Sequence, residues 1–185
     1  MRKTIKHITA IQTGLFTKPT GKGKVVYLQS KYFDEYGNLT AMLYPDLKAD
    51  CISEKHLLNA GDVLFAAKGT KNFAAVWESG NPPAVASTSF FIIRVTDKNV
   101  LPEFLAWFLN HPQTLRLLKG KARGTSIPSI TKSVLESLEM VIPPIEKQKV
   151  IVRISQLVLQ ETEIREQILT QRKQLIEQQI INAIK

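Results

Sequence analysis

Three short stretches of this chain carry residue types that perform chemistry elsewhere. Asn81-Pro82-Pro83 supplies the first three residues of the Asn/Asp-Pro-Pro-aromatic loop with which amine-methylating enzymes grip a base amine, but Ala84 stands where the stacking ring belongs. There is also no strand leading into a Gly-rich loop for a nucleotide-like cofactor, so these prolines read as a turn between strands. Pro45-Asp46-Leu47-Lys48 resembles part of a nuclease site, where two carboxylates and a lysine hold a metal ion that activates water. Its upstream carboxylates, Asp34 and Glu35, fall in a turn. Gly21-Lys22-Gly23-Lys24 lacks the Gly-x-x-x-x-Gly-Lys-Ser/Thr frame of a triphosphate cradle and reads as a basic loop touching a nucleic-acid backbone. The single cysteine, Cys51, and the histidines His7, His56 and His111 show no metal-ligand spacing. His56 and His111 read as surface or capping residues. On these residues the chain is a binder rather than a catalyst, with no metal site.

The binding residues are basic. Arg116, Lys119, Lys121 and Arg123 lead into Gly124-Thr125-Ser126, a run of cations and hydroxyls suited to phosphate contacts. An Arg fork and short polar side chains also read base edges in the major groove. Lys68, Thr70 and Lys71 around Gly69 form a second such loop, and Lys18, Lys22 and Lys24 a third. Composition agrees: 25 Lys and Arg against 16 Asp and Glu give a net charge of +9 and favour a polyanionic partner. The first thirty-three residues hold Arg2, Lys3, Lys6, Lys18, Lys22, Lys24 and Lys31 and no acid. Before Glu146 there are 18 basic and 11 acidic residues, and from it onward 7 and 5, so the excess charge belongs to the first part of the chain.

Several elements must position these loops. Residues 25–28 suit a strand after the basic turn, and residues 34–38 form a second turn. Residues 62–67 and 73–77 suggest a hairpin around Lys68-Gly69-Thr70-Lys71-Asn72. Phe90-Phe91-Ile92-Ile93 is continuous enough for a buried central strand. Leu101, Leu105, Phe108 and Leu109 then recur at helical spacing, with Pro102 in the first turn. Asn110-His111-Pro112 ends that helix; short helices follow at 113–121 and 133–138, and a strand at 139–142.

After Pro143-Pro144 come some forty residues without Gly or Pro and with an apolar helical repeat. An unbroken helix of that length reaches about 60 Å, too far to bury its stripe against one small domain. In a heptad register, Val150, Ile154, Leu157, Ile164, Ile168 and Leu175 are the aliphatic positions, and Glu161, Gln171, Gln178 and Asn182 are polar. Ile176, Ile180 and Ile184 start a second stripe. This drift fits an antiparallel helix pair that shares its far end with another surface. The fold class is therefore α+β. A globular domain with a twisted mixed sheet and flanking helices occupies residues 1–143, and one long helix, forming an antiparallel coiled coil, occupies 144–185. No stretch approaches the length of a membrane span and the start lacks a secretory apolar run, so the expected location is the cytoplasm.

From Gly61 onward the order of features resembles the specificity subunit of type I restriction-modification systems. The residues are Gly61-Asp62-Val63-Leu64-Phe65, the Lys68-Gly69-Thr70 turn, STSFFIIR at 87–94, residues 105–109, RGTSIPSIT at 123–131, and Val141-Ile142-Pro143-Pro144-Ile145-Glu146-Lys147-Gln148. The last resembles the family's strand, Pro-Pro hinge and Glu-x-Gln start of a conserved spacer helix. A family member usually has two target-recognition domains and two such helices; this chain has one of each and so resembles a half subunit. The resemblance implies a homodimer on double-stranded DNA that reads an interrupted palindromic site. It also implies modification subunits that methylate adenine with S-adenosylmethionine, and translocating restriction subunits that use ATP and Mg, with no cofactor in this chain. The other readings are a small nuclease or methyltransferase, and a remnant that competes for modification subunits.

Overall fold

The computed structural model describes residues 1–21, 23–48, 52–69, 71–122 and 128–184. The chain opens with β1 (Arg2–Thr4), one helical turn α1 (Ile5–Ile8) and β2 (Thr9–Thr13). Then follow β3 (Val26–Leu28), β4 (Val63–Ala66), β5 (Ala74–Val76), β6 (Ala84–Ala86) and β7 (Phe90–Val95). Helices α2 (Pro102–Asn110), α3 (Pro112–Gly120) and α4 (Lys132–Glu136) lead to β8 (Glu139–Val141) and the forty-residue α5 (Ile145–Ile184).

Four strands form the main sheet in the order β2-β7-β4-β5, every pair antiparallel. Successive side chains of a strand point to opposite faces, and here both faces are covered. Val63, Phe65 and Ile93 pack against Ile5, Ile8, Phe104, Leu105 and Leu109 from the helices. Leu64, Ala66, Phe90 and Ile92 pack on the other side against Val26, Leu28, Ala84, Phe33, Phe73 and Trp77. That double coverage is why residues 90–93 of β7 read as an uninterrupted apolar run and why all four residues of β4 are buried. Parallel pairing is present but separate: β3 runs parallel to β6 in its own two-stranded ladder, and Leu15 bridges Ser87. The expected mixture thus lies in adjoining sheets rather than in one. At the sheet edge, Asn110 occupies the free hydrogen-bonding groups of Ala74, accepting from its N–H at 2.7 Å and donating to its carbonyl at 2.8 Å. An amide side chain there takes the place of a further strand.

The first eight residues, which show no pattern by themselves, fold onto the far end of the domain. β1 pairs antiparallel with β8, and Ile142 N–H donates to Met1 O at 2.7 Å. The strand leading into α5 is thereby fixed to the start of the chain. Gln148 anchors the helix itself. Its side chain is fully buried, donates to Asn99 O (2.6 Å) and Pro143 O (2.8 Å), and accepts from Leu101 N–H (2.9 Å). Ile151 and Val152 pack on the helical core, and from Gln160 to Ile184 every residue is exposed.

Candidate nucleic-acid interface

Because β2 and β4 both run antiparallel to β7, their C-terminal ends and the N-terminal end of β7 meet at one end of the sheet. Backbone bonds hold the loops that emerge there. Gly14 N–H donates to Phe90 O (3.1 Å) and Leu15 N–H to Ala86 O (2.8 Å). A Cβ at Gly14 would collide with the Ser87 carbonyl, so this close approach requires glycine. Ala67 N–H donates to Ser89 O at 2.9 Å, and Asn72 closes the β4–β5 turn by donating to Ala66 O at 2.9 Å. Lys68 bridges Ser129, Gly69 N–H donates to Pro128 O (3.0 Å), and Ile130 N–H donates to Ala67 O (2.9 Å). Segments far apart in sequence, at 14–16, 67–69 with 71–72, 87–89 and 128–130, thus form one rim.

Of the cations expected to bind, Lys68 and Lys71 lie on this rim. Lys18 and Lys24 lie on the segment that leaves it at Leu15 and returns to β3, tied there by Lys24 N–H to Leu47 O at 2.9 Å. Arg116, Lys119 and Lys121 lie on α3 or its end, one short connection upstream of Pro128. All seven are exposed, and none forms a salt bridge with a described residue. Their Coulomb field is therefore uncompensated by ion pairing. Lys22, Thr70, Arg123, Thr125 and Ser126 lie outside the described residues, as does Cys51. Lys119, with Lys71, lines a cleft of about 1140 Å³ between the domain and α5. Ser87, Ser89 and Ser129 on the rim were not singled out for binding from sequence, although Ser87 and Ser89 stand in the apolar-flanked segment STSFFIIR.

Negative charge collects at the same cleft, where Glu35, Glu78 and Glu103 line the walls with Lys71 and Lys119. The turn carrying Asp34, Glu35 and Tyr36 approaches α5, where Asn38 Nδ2 reaches Glu163 Oε1 at 3.5 Å. The carboxylates of Glu35 and Glu166, with those of Asp34 and Glu163, hold the Tyr36 phenol above its ordinary pKa. This acidic pole would repel a polyanion from the side of the helix.

The nuclease and methyltransferase fragments are occupied structurally. Asp46 accepts from Tyr27 N–H at 2.8 Å, and Asp34 closes its own turn by accepting from Tyr36 and Asn38 N–H. Among the described residues no three His, Cys, Asp or Glu side chains lie close enough to share a metal ion. Asn81-Pro82-Pro83 is the turn between β5 and β6, and His111 caps α3 by accepting from Gln113 N–H.

The dimerisation candidates share a similar exposure, although Ile154 lines the cleft against the domain. Val150, Ile154, Leu157, Ile164, Ile168 and Leu175 are all 47–56% exposed. No described helix is long and apolar enough to cross a membrane.

The family model of the type I restriction modification DNA specificity domain matches residues 9–178. The chain belongs to this specificity-domain family. The type I restriction enzyme MjaVIII specificity subunit of Methanocaldococcus jannaschii is 24% identical over 156 residues. That match takes in 81% of this chain, which spans about a third of the relative's length (32%). The HsdS subunit of Thermoanaerobacter tengcongensis superposes with a TM-score of 0.62 at 16% identity, covering 87% of this chain and 37% of that one. The S subunit of the type I restriction-modification system from M. genitalium gives 0.59 at 17% identity, covering 88% and 40%. At such identities the superpositions establish the fold. In this specificity domain, then, the sheet, the short helices and the single long helix are shared with solved S subunits.

Proposed function

We propose that the chain is a DNA sequence-recognition half subunit of a type I restriction-modification complex, without catalytic activity of its own. Residues 1–143 act as the target-recognition domain and 144–185 as the spacer and dimerisation helix. Two copies pair antiparallel through α5 in the cytoplasm and read a bipartite site on double-stranded DNA. They direct adenine methylation and restriction by partner subunits, which hold S-adenosylmethionine, ATP and Mg.

The observation that carries this reading is the unpaired apolar stripe on a helix that stands clear of its own domain beyond Leu159. One antiparallel register satisfies it well. Setting Ile164 against the partner's Ile168 also sets Leu157 against the partner's Leu175 and Glu161 against the partner's Gln171, an apolar centre around one polar pair, while Ile154 and Val150 fall opposite the partner's Gln178 and Asn182 at the ends. Ile180 and Ile181 then fall beside the half-buried Val152 and Ile151 of the partner, which gives one residue of the second stripe an apolar neighbour. Two domains on a rigid spacer bind the second half-site at high effective concentration, whereas one domain gives weak, salt-sensitive binding.

Light scattering on the purified chain tests the pairing: a dimer is expected, and a stable monomer at micromolar concentration refutes it. Inserting one helical turn into the exposed part of α5 is expected to change the spacing between half-sites, read by methylation-site sequencing of the reconstituted complex, and to leave each half-site unchanged.

A further inference from the structure

Three large apolar side chains stand in solvent beside the basic rim: Phe16 at 74%, Met42 at 75% and Tyr44 at 70% exposure. Among the phenylalanines of the domain, Phe65, Phe73, Phe90 and Phe104 are by contrast fully buried. The exposed three sit on two loops that the structure fastens to one strut, Tyr27. Its hydroxyl donates to Leu15 O at 3.1 Å, directly before Phe16, and its N–H donates to Asp46 Oδ1 at 2.8 Å, two residues after Tyr44. Thr20 adds a clamp, donating through N–H (2.9 Å) and hydroxyl (3.1 Å) to Asp46 O. Gly23 lies so near Leu47 that a Cβ there would collide with its backbone, which seals the same junction. Tyr44 is held in turn by its hydroxyl against Met42 Sδ at 2.9 Å. The loops are tethered, yet their largest side chains have no cover.

What covers them is argued by charge. Lys18 and Lys24 follow Phe16 by two and eight residues, Lys48 follows Tyr44 by four residues, and no acid precedes Asp34. Exposed apolar side chains with unpaired lysines on the same loops suit a duplex, where lysines neutralise phosphates and rings or thioethers meet thymine methyls or wedge between base steps. We propose that Phe16, Met42 and Tyr44 form the apolar base-contacting tip of the DNA interface. They set sequence preference, while Lys18 and Lys24 set affinity. This rests on the DNA-recognition reading above and deepens it.

The test is selection by the full chain from a pool of randomised duplexes, repeated with Phe16→Ala/Tyr44→Ala and with Lys18→Ala/Lys24→Ala. The aromatic variant is expected to bind mixed-sequence DNA as wild type does, with the same salt slope. It is expected to lose about tenfold on the selected sequence and to blur its preference at one or more positions. The lysine variant is expected to keep the preference and to flatten the salt slope by about 2. All three side chains are exposed, so thermal melting should be unchanged in both variants. An aromatic variant that selects the same sequence with wild-type affinity overturns the proposal and leaves the DNA reading intact. So does one that reads DNA normally but no longer assembles with methyltransferase subunits, since the tip is then a protein contact. A wild-type chain that selects nothing overturns both.

Discussion

The domain and the distal part of α5 carry similar proportions of aliphatic residues but treat them in opposite ways. In the domain, Ile92, Ile93, Leu105 and Leu109 are almost wholly removed from water, and even the polar side chain of Gln148 is sealed in with three hydrogen bonds. Along α5, Ile164, Ile168 and Leu175 remain more than half exposed with nothing of their own chain to meet. The domain has therefore gained its burial free energy within one chain. The distal helix has not, and an isolated helix in water draws most of its stability from the packing of its apolar face. One part closes its core within its own chain, while the other leaves an apolar face that the proposed pairing of two copies would cover.

The most forceful way to break that comparison is to place charge on the stripe. Ile164→Glu with Ile168→Glu is expected to weaken self-association by two orders of magnitude or more, on the order of 3 kcal/mol, without shifting the melting of the domain. Sedimentation equilibrium measures the first and calorimetry the second. If both change together, the two parts are not energetically separate. A smaller effect tests the junction. Gln148→Ala strips partners from Leu101 N–H, Asn99 O and Pro143 O and is expected to cost about 2 to 4 kcal/mol in urea unfolding. An unchanged unfolding midpoint would mean that the helix is not anchored there.

The smallest effect concerns acid. The Lys3 ammonium, 2.6 Å from Asp97 Oδ2, together with the Asn99 N–H, holds the Asp97 carboxyl down to about 2. A depressed folded-state pKa contributes stability above the unfolded value near 3.8, and that contribution is lost as pH falls through about 2. Asp97→Asn is accordingly expected to flatten the stability profile between about pH 4 and 2 and to leave its neutral-pH shape alone, as followed by acid titration of circular dichroism.

Much of the domain was legible because local pattern and final environment agree. The continuous run at Phe90 to Ile93 became the central strand β7, Pro102 opened α2, and residues 62–67 and 73–77 paired as the β4–β5 hairpin. The opening segment was not legible. β1 has three residues, and its pairing partner, β8, lies more than 130 residues away, so no local periodicity records it. The proposed DNA-contacting surface was suggested by charge in the sequence, but its layout was not. Lysines announce affinity for a polyanion by their charge alone, whereas Phe16, Met42 and Tyr44 look like ordinary core residues until their exposure is known.

Residue order alone determined the net positive charge, the element types and the unbroken final helix, because charge, propensity and the 3.6-residue repeat are local properties. The tertiary structure decided which loops share a rim, where the acids gather and how Gln148 fixes the helix to the domain. Those depend on contacts between residues far apart in the chain. Such contacts form only once β2 and β4 lie antiparallel to β7 and bring their ends to one place.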